Sequence, residues 1–179
     1  MPENNKFELR GVNHLALVCK DMKRTVEFYS GVLGMPLIKT IDLPGGRGQH
    51  FFFDIGKGDS LAFFWFPNAP EAQPGVTNPA AVAGGGSIVS AHASMNHVAF
   101  DVPLERIEEY RQRLVDAGIT VTQVINHDDS PRQASEAVNE TTFVRSIYFN
   151  DPDGIALEFA AWTREFTAAD VNCEPAAAS

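Results

Sequence analysis

The chain has 179 residues, of which 44% are hydrophobic, and a formal net charge of -9 at pH 7. This length suffices for one domain or two small fused modules with a shared core. The negative charge disfavours nucleic acid and anionic membrane surfaces as partners. With no apolar run of membrane-spanning length and no apolar segment in the polar start, the sequence predicts a cytoplasmic protein.

Two stretches of the chain share one plan. Residues 12–35, VNHLALVCKDMKRTVEFYSGVLGM, and 95–119, MNHVAFDVPLERIEEYRQRLVDAGI, each open with an Asn-His pair and an alternating strand. An amphipathic helix follows in each. The first helix is predicted to be capped by Asp21 and to end at Gly34, and the second to end at Gly118.

Strand-like runs separated by turn residues follow each helix, so each half reads as β-α-β-β-β. The runs are PLIKTI, QHFFFDI and SLAFFWF in the first half and TVTQVI, FVRSIYF and IALEFAAW in the second. A stretch rich in Pro, Gly, Ala and Ser lies between the halves. We therefore predict a first module over 7–66, a linker or mobile loop over 67–94, a second module over 95–163 and a flexible tail over 164–179.

Three polar residues stand on the less bulky faces of their predicted strands. Side chains alternate across a strand, so His14, His97 and Glu158 point away from their large apolar neighbours. In each case the same face carries small residues, namely Ala16 beside His14, Ala99 beside His97, and Ala156 and Ala160 beside Glu158. This pattern is expected if one sheet face packs on helices and the other lines a cavity.

Two neutral imidazoles and one carboxylate on a common face can bind a divalent first-row metal while leaving coordination positions open. His14, His97 and Glu158 would form such a 2-His-1-carboxylate site. Two alternatives stay open at this point. Each histidine could be a hydrogen-bonded structural residue, and the carboxylate of Glu158 could pair with a base such as Arg145.

These residues, together with FYSGVLGM after His14 and YFNDPDGIALEF around Glu158, resemble the vicinal oxygen chelate superfamily. It includes glyoxalase I, extradiol ring-cleaving dioxygenases and bleomycin- and fosfomycin-resistance proteins. The resemblance implies an α+β fold in which paired βαβββ modules form an open, cup-shaped mixed sheet around a divalent metal. Modules in this superfamily pair within one chain or across a dimer, so the resemblance is compatible with a homodimer.

On that pattern a fourth protein ligand would come from the strand SLAFFWF, which offers no Glu, Gln or His. Glyoxalase I-like enzymes use four protein ligands around Zn or Ni, whereas extradiol-type dioxygenases use three around Fe(II). The resemblance therefore favours an Fe(II) site and an extradiol-type oxidoreductase acting on a catechol or a related vicinal-oxygen compound.

The end of the chain matches the second half of the extradiol dioxygenase signature, in which the residue equivalent to Tyr148 hydrogen-bonds substrate. Asp151 and Asp153 are predicted to shape the turn, with Gly154 at positive φ. The signature histidine upstream is missing from VNETTF. We expect His127, predicted to lie in a neighbouring loop, to supply an acid or base in its place, with Tyr148 as second catalytic residue. The alternatives to these catalytic roles are that Tyr148 only fills the core and that His127 is only solvated.

The sequence contains 13 Phe, and alternation sends some of them to the cavity side, which favours an aromatic or apolar small-molecule substrate. His50 and His92 show no spacing or face that marks them as ligands. Two other functions remain as alternatives: a glyoxalase I-like lyase or isomerase using Zn, Ni or Mn, and a binding protein that sequesters a drug or metabolite.

Overall fold

The computed structural model describes residues 6–81 and 87–177. The fold is α+β, as predicted, and consists of two four-stranded mixed sheets that are not closed barrels. The strands are, in chain order, β1 His14–Cys19, β2 Leu37–Leu43, β3 Gly48–Gly56, β4 Asp59–Trp65, β5 Val98–Asp101, β6 Ile125–Asp128, β7 Thr142–Asn150 and β8 Ala156–Trp162; the two α-helices are α1 Met22–Val26 and α2 Ile107–Asp116.

The two sheets repeat one topology. Their strand orders are β1-β4-β3-β2 and β5-β8-β7-β6, and in each the first strand pairs in parallel with the last. The helix after the first strand makes this parallel pairing possible, because a parallel connection needs a crossover segment. The internal repeat read from the sequence is therefore a structural repeat.

The first helix begins where predicted but is not α-helical throughout. Asp21 accepts a hydrogen bond from the backbone N–H of Arg24 at 3.1 Å and caps α1. From Glu27 to Val32 the chain forms a π-helix. Its wider turn lets the consecutive residues Phe28 and Tyr29 both face the core, where they are 6% and 0% exposed. Apolar periodicity alone did not indicate this turn.

The predicted strand TVTQVI is largely irregular. Val121 makes an isolated bridge to Phe149, and the hydroxyl of Thr122 accepts a hydrogen bond from the backbone N–H of Tyr148 at 3.0 Å. A side chain thus takes a place that a strand's carbonyl would hold, and regular pairing starts only at Ile125. His127 consequently lies in β6 rather than in a loop, which corrects the expectation for this residue.

One hydrophobic core joins the two modules. Tyr29 packs against Phe63 of β4 at 4.8 Å between ring centroids, and the same buried cluster includes Phe149 and Leu157 of the second sheet. The hydroxyl of Tyr29 donates a hydrogen bond to Asp151 at 3.2 Å. Asp151 also accepts hydrogen bonds from the backbone N–H groups of residues 153 and 155, so it shapes the turn as predicted.

Segments outside the two modules also make contacts. In the predicted linker, Asn78 donates a hydrogen bond to the carbonyl of Gly154 at 2.7 Å. In the predicted tail, Phe166 packs against Trp162 and Arg164 pairs with Asp170. The division into modules, linker and tail remains a prediction. Among the described residues, no helix is long and apolar enough to cross a membrane.

Burial raises the pKa of Asp151 to about 6, well above the value of about 3.9 for a solvated aspartate. Between these values the folded state binds more protons than the unfolded state, so this group lowers stability as pH rises from about 4 to about 6. Asp151→Asn removes that contribution. We expect the free energy of unfolding of the wild type, relative to the variant, to fall by about 2–3 kcal/mol over this window.

Urea unfolding of both proteins at several pH values measures this difference. Asp116→Asn, at an exposed position of α2, is the matched control and should run parallel to the wild type. A difference between wild type and Asp151→Asn that does not change with pH would contradict the assignment.

Candidate metal and acid-base site

The centre of the candidate site is a contact between the buried carboxylate of Glu158 and the partly exposed ring of His97. Glu158 lies in β8 and is 5% exposed, while His97 immediately precedes β5. Oε2 of Glu158 is 2.9 Å from Nε2 of His97. The parallel pairing of β5 with β8 brings them together, because it sets Ala99 opposite Glu158 and side chains two residues apart share a face.

The contact changes the proton affinity of both groups. Burial opposes ionisation of Glu158, but the hydrogen bond and the charge of His97 and the hydroxyls of Ser146 and Tyr148 together outweigh it, and the pKa of Glu158 lies below its ordinary value. The hydrogen bond to Glu158 raises the pKa of His97. Each group thus favours the charged form of the other.

Arg145, the alternative partner, lies on the opposite face of β7. Its guanidinium donates to Asn126 and to Glu108 of α2. The carboxylate of Glu158 is thus compensated by a histidine and not by arginine.

Both candidate histidines are oriented by the asparagine before them. Nδ1 of His14 is 2.8 Å from Oδ1 of Asn13, and Nδ1 of His97 is 2.9 Å from Oδ1 of Asn96. An amide oxygen only accepts, so each Nδ1 carries the proton and each Nε2 is left as the atom that can bind a metal. The repeated Asn-His pair was visible in the sequence, but its role in holding the ring was not.

The chain does not bring His14 to the other two residues. His14 begins β1 and packs edge-on against Phe52 at 5.7 Å, within the first sheet. Among the described residues, no group of three or more His, Cys, Asp or Glu side chains is placed to hold a metal ion. One chain thus offers His97 with Glu158 at one place and His14 at another.

Tyr148 and His127 do come together beside this pair. Tyr148 lies directly opposite Glu158 in the pairing of β7 with β8, and its hydroxyl is 3.1 Å from Nε2 of His127. Burial, followed by the negative charge of Glu158, raises the pKa of Tyr148. The phenol is therefore protonated at neutral pH and able to donate.

The repeat explains the missing fourth ligand. Ala62 lies opposite Ala16 in the first sheet, as Glu158 lies opposite Ala99 in the second. The position equivalent to Glu158 is therefore occupied by a methyl group, and the first module has no carboxylate at that position.

His50 also lies on the face that carries His14, contrary to our expectation that nothing marked it. In the first sheet it is opposite Phe64 and stacks on that ring with centroids 3.6 Å apart. Its buried Nε2 has no hydrogen-bond partner among the described residues. Burial lowers its pKa, so the ring is neutral. Alternation within QHFFFDI was the signal that could have placed it there.

The donor set fits a divalent ion. Two ligand atoms about 2.1 Å from one ion and at a right angle to each other lie about 3 Å apart, close to the 2.9 Å between His97 and Glu158. Both Nδ1 atoms are held by an outer hydrogen bond, as is usual for metal-binding histidines. His14, His97 and Glu158 are the residues that would hold the ion.

The sequence profile of the glyoxalase/bleomycin resistance protein/dioxygenase superfamily matches residues 11–159. The chain belongs to this superfamily. It is 41% identical to lactoylglutathione lyase of Pseudomonas aeruginosa over 49 residues, which cover 27% of the chain and 28% of that protein. It is 24% identical over 157 residues to the fosfomycin resistance protein FosX of Listeria monocytogenes, covering 88% of the chain and 93% of FosX.

Solved structures share the fold. A glyoxalase family protein from Enterococcus faecalis superposes with a TM-score of 0.61 at 21% identity, covering 86% of this chain and 99% of that one. FosX from L. monocytogenes complexed with Mn(II) and sulfate superposes with a TM-score of 0.53 at 20% identity, covering 87% and 94%. Superfamily members thus include metal-binding proteins and enzymes.

Removing one partner of the His97–Glu158 contact should reveal its cost in the metal-free protein. His97→Ala leaves a buried carboxylate without its partner, and we expect the free energy of unfolding to fall by about 1–3 kcal/mol. Adding Glu158→Gln should restore part of this loss, since a neutral amide needs no counter-charge. His92→Ala, at an exposed linker position, is the control.

Urea unfolding at pH 7 with a chelator measures all four proteins. If the double variant is no more stable than His97→Ala, His97 does not compensate the buried charge of Glu158.

Proposed function

We propose that the protein is a divalent-metal enzyme that acts on a small molecule bound through vicinal oxygen atoms. The observation that carries this proposal is the His97–Glu158 contact, with its cis-ligand spacing of 2.9 Å and the Tyr148–His127 pair beside it. A sequestering protein would need neither a metal-ligand pair nor an adjoining acid-base pair.

The third ligand, His14, is proposed to come from a second copy of the chain. His14 lies apart from His97 and Glu158 within one chain, and the ligand-bearing faces expose apolar side chains. Val18, on the face of His14, is 50% exposed, and Trp162, on the face of Glu158, is 57% exposed. A homodimer that joins these faces would bury both and complete two equivalent sites.

In this site the metal, when bound, would polarise two vicinal oxygens of the substrate and, as Fe(II), would also activate O2. His14, His97 and Glu158 would hold it. Tyr148 lies where its hydroxyl can donate a hydrogen bond to a substrate oxygen, and His127 can take up or return the proton of that hydroxyl through Nε2. Phe52 and Phe64 would contact the apolar part of the substrate.

For the reaction we propose extradiol-type oxidation of a catechol or related compound, because His127 supplies next to Tyr148 the imidazole that the sequence signature lacks. A redox-neutral reaction with Mn, Zn or Ni is the second candidate. The similarity to lactoylglutathione lyase and FosX favours it, and an acid-base pair serves it equally well.

The shared site predicts complementation between two defective variants. His14→Ala and Glu158→Ala should each bind no Mn(II). In a mixed dimer one site carries both changes and the other carries neither, so an equimolar refolded mixture should recover roughly a quarter of the wild-type metal content. Metal analysis after desalting measures this. A mixture that recovers nothing, while the wild type binds metal, would contradict a site shared between copies.

The reaction class is tested with reconstituted protein. Anaerobically Fe(II)-loaded enzyme should consume O2 with a member of a catechol panel, and Tyr148→Phe should slow turnover by about 100-fold or more with unchanged metal content. Tyr110→Phe, on α2, is the matched control and should behave as wild type.

Turnover of a hemithioacetal or of fosfomycin by the Mn(II) form, without O2 uptake, would instead assign the redox-neutral reaction. Metal binding without turnover of any of these compounds would contradict extradiol-type oxidation.

A further inference from the structure

The residues just before the second module contact the metal-ligand histidine through Asn96. We call residues 87–91 the linker return. The side-chain amide of Asn96 donates a hydrogen bond to the carbonyl of Ile88 at 2.7 Å and lies 3.4 Å from the hydroxyl of Ser90. Its oxygen is 2.9 Å from Nδ1 of His97. A continuous chain of hydrogen bonds therefore runs from the linker return to His97.

This chain of contacts fixes which way the amide faces. The carbonyl of Ile88 can only accept, so it holds the nitrogen end of the Asn96 amide and turns the oxygen end to His97. That oxygen in turn requires the proton on Nδ1 and leaves Nε2 free for Glu158 or a metal. The linker return thus helps to keep a proton on Nδ1, so that the neutral ring presents Nε2 to a metal.

The first module lacks this arrangement. Nδ1 of His14 meets Oδ1 of Asn13 at 2.8 Å, but the amide nitrogen of Asn13 makes no hydrogen bond among the described residues. The difference provides a matched internal control, since the same Asn-His pair occurs with and without the linker return.

The linker reaches the second ligand strand as well. Asn78 donates to the carbonyl of Gly154 at 2.7 Å, in the turn that leads into β8 and Glu158. The linker return also contacts the part of the linker that contains Asn78, because the backbone N–H of Ala91 donates to the carbonyl of Val76 at 3.1 Å. The linker therefore contacts the chain next to both ligands of the second module.

We propose that the linker return stabilises metal binding at His97 and that Asn96 is the positioning residue that couples the linker return to His97. The proposal rests on the metal site of the proposed function. Coupling of this kind is reciprocal. Metal binding orders the linker return, and an ordered linker return strengthens metal binding.

Mn(II) titration of the metal-free protein and amide hydrogen exchange of residues 87–91 test this coupling. The wild type should bind Mn(II) and should show slower exchange in this segment when metal is bound. Asn96→Ala should weaken Mn(II) binding by about 10-fold or more and abolish the metal-dependent slowing. Asn13→Ala should weaken binding but keep the slowing, because it leaves the linker contact intact.

Asn96→Asp separates the two roles of Asn96, which accepts a hydrogen bond from His97 and donates one to Ile88. Its carboxylate still accepts from Nδ1 of His97 but cannot donate to Ile88, so only the linker contact is lost. Mn(II) affinity should fall by about 5-fold, less than in Asn96→Ala, and the metal-dependent slowing should be lost. Wild-type Mn(II) affinity in Asn96→Ala, or exchange in residues 87–91 that does not respond to metal in the wild type, overturns the coupling alone. A wild type that binds no Mn(II) overturns the proposed function and this inference with it.

Discussion

The rest of the site depends on a carboxylate that is buried in an apolar strand. Glu158 lies between Leu157 and Phe159 and is 5% exposed, and a buried charge without a partner costs several kcal/mol. The fold compensates it with an imidazole at 2.9 Å. That imidazole is available because β5 pairs in parallel with β8 in the correct register. The stability of the chain therefore depends on this contact, and in the proposed site its affinity for a metal ion would depend on the same contact.

The internal repeat organises what surrounds this contact. Both modules present an Asn-His pair at the start of the first strand, and both pack their large side chains into one shared core. The two modules differ at the positions of the candidate site. Glu158 and Tyr148 of the second module are replaced in the first by Ala62 and Phe52 at the equivalent positions. In the proposed site the first module would contribute one ligand, His14, and apolar surface, and the second would contribute His97, the carboxylate and the acid-base pair.

Much of this arrangement was predictable because it is local. Alternation along a strand correctly assigned His14, His97 and Glu158 to the faces opposite the core, and Asp21 correctly marked the start of the first helix. Features that depend on contacts distant in sequence were not predictable. Single-strand patterns carry no information on which ligands meet across the sheets, on the contact of His127 with Tyr148, or on the hydrogen bonds of Asn96 to the linker. The place of His14 in the completed site therefore remains a proposal.

The proposed site requires each metal ion to be held by two copies of the chain. The most direct measurement is a crystal structure of the Mn(II)-loaded protein with anomalous diffraction data that locate the ion. We expect one ion per chain, bound by His97 and Glu158 of one copy and by His14 of the other. An ion bound away from the His97–Glu158 contact, or bound with His14 of the same chain, would contradict this expectation.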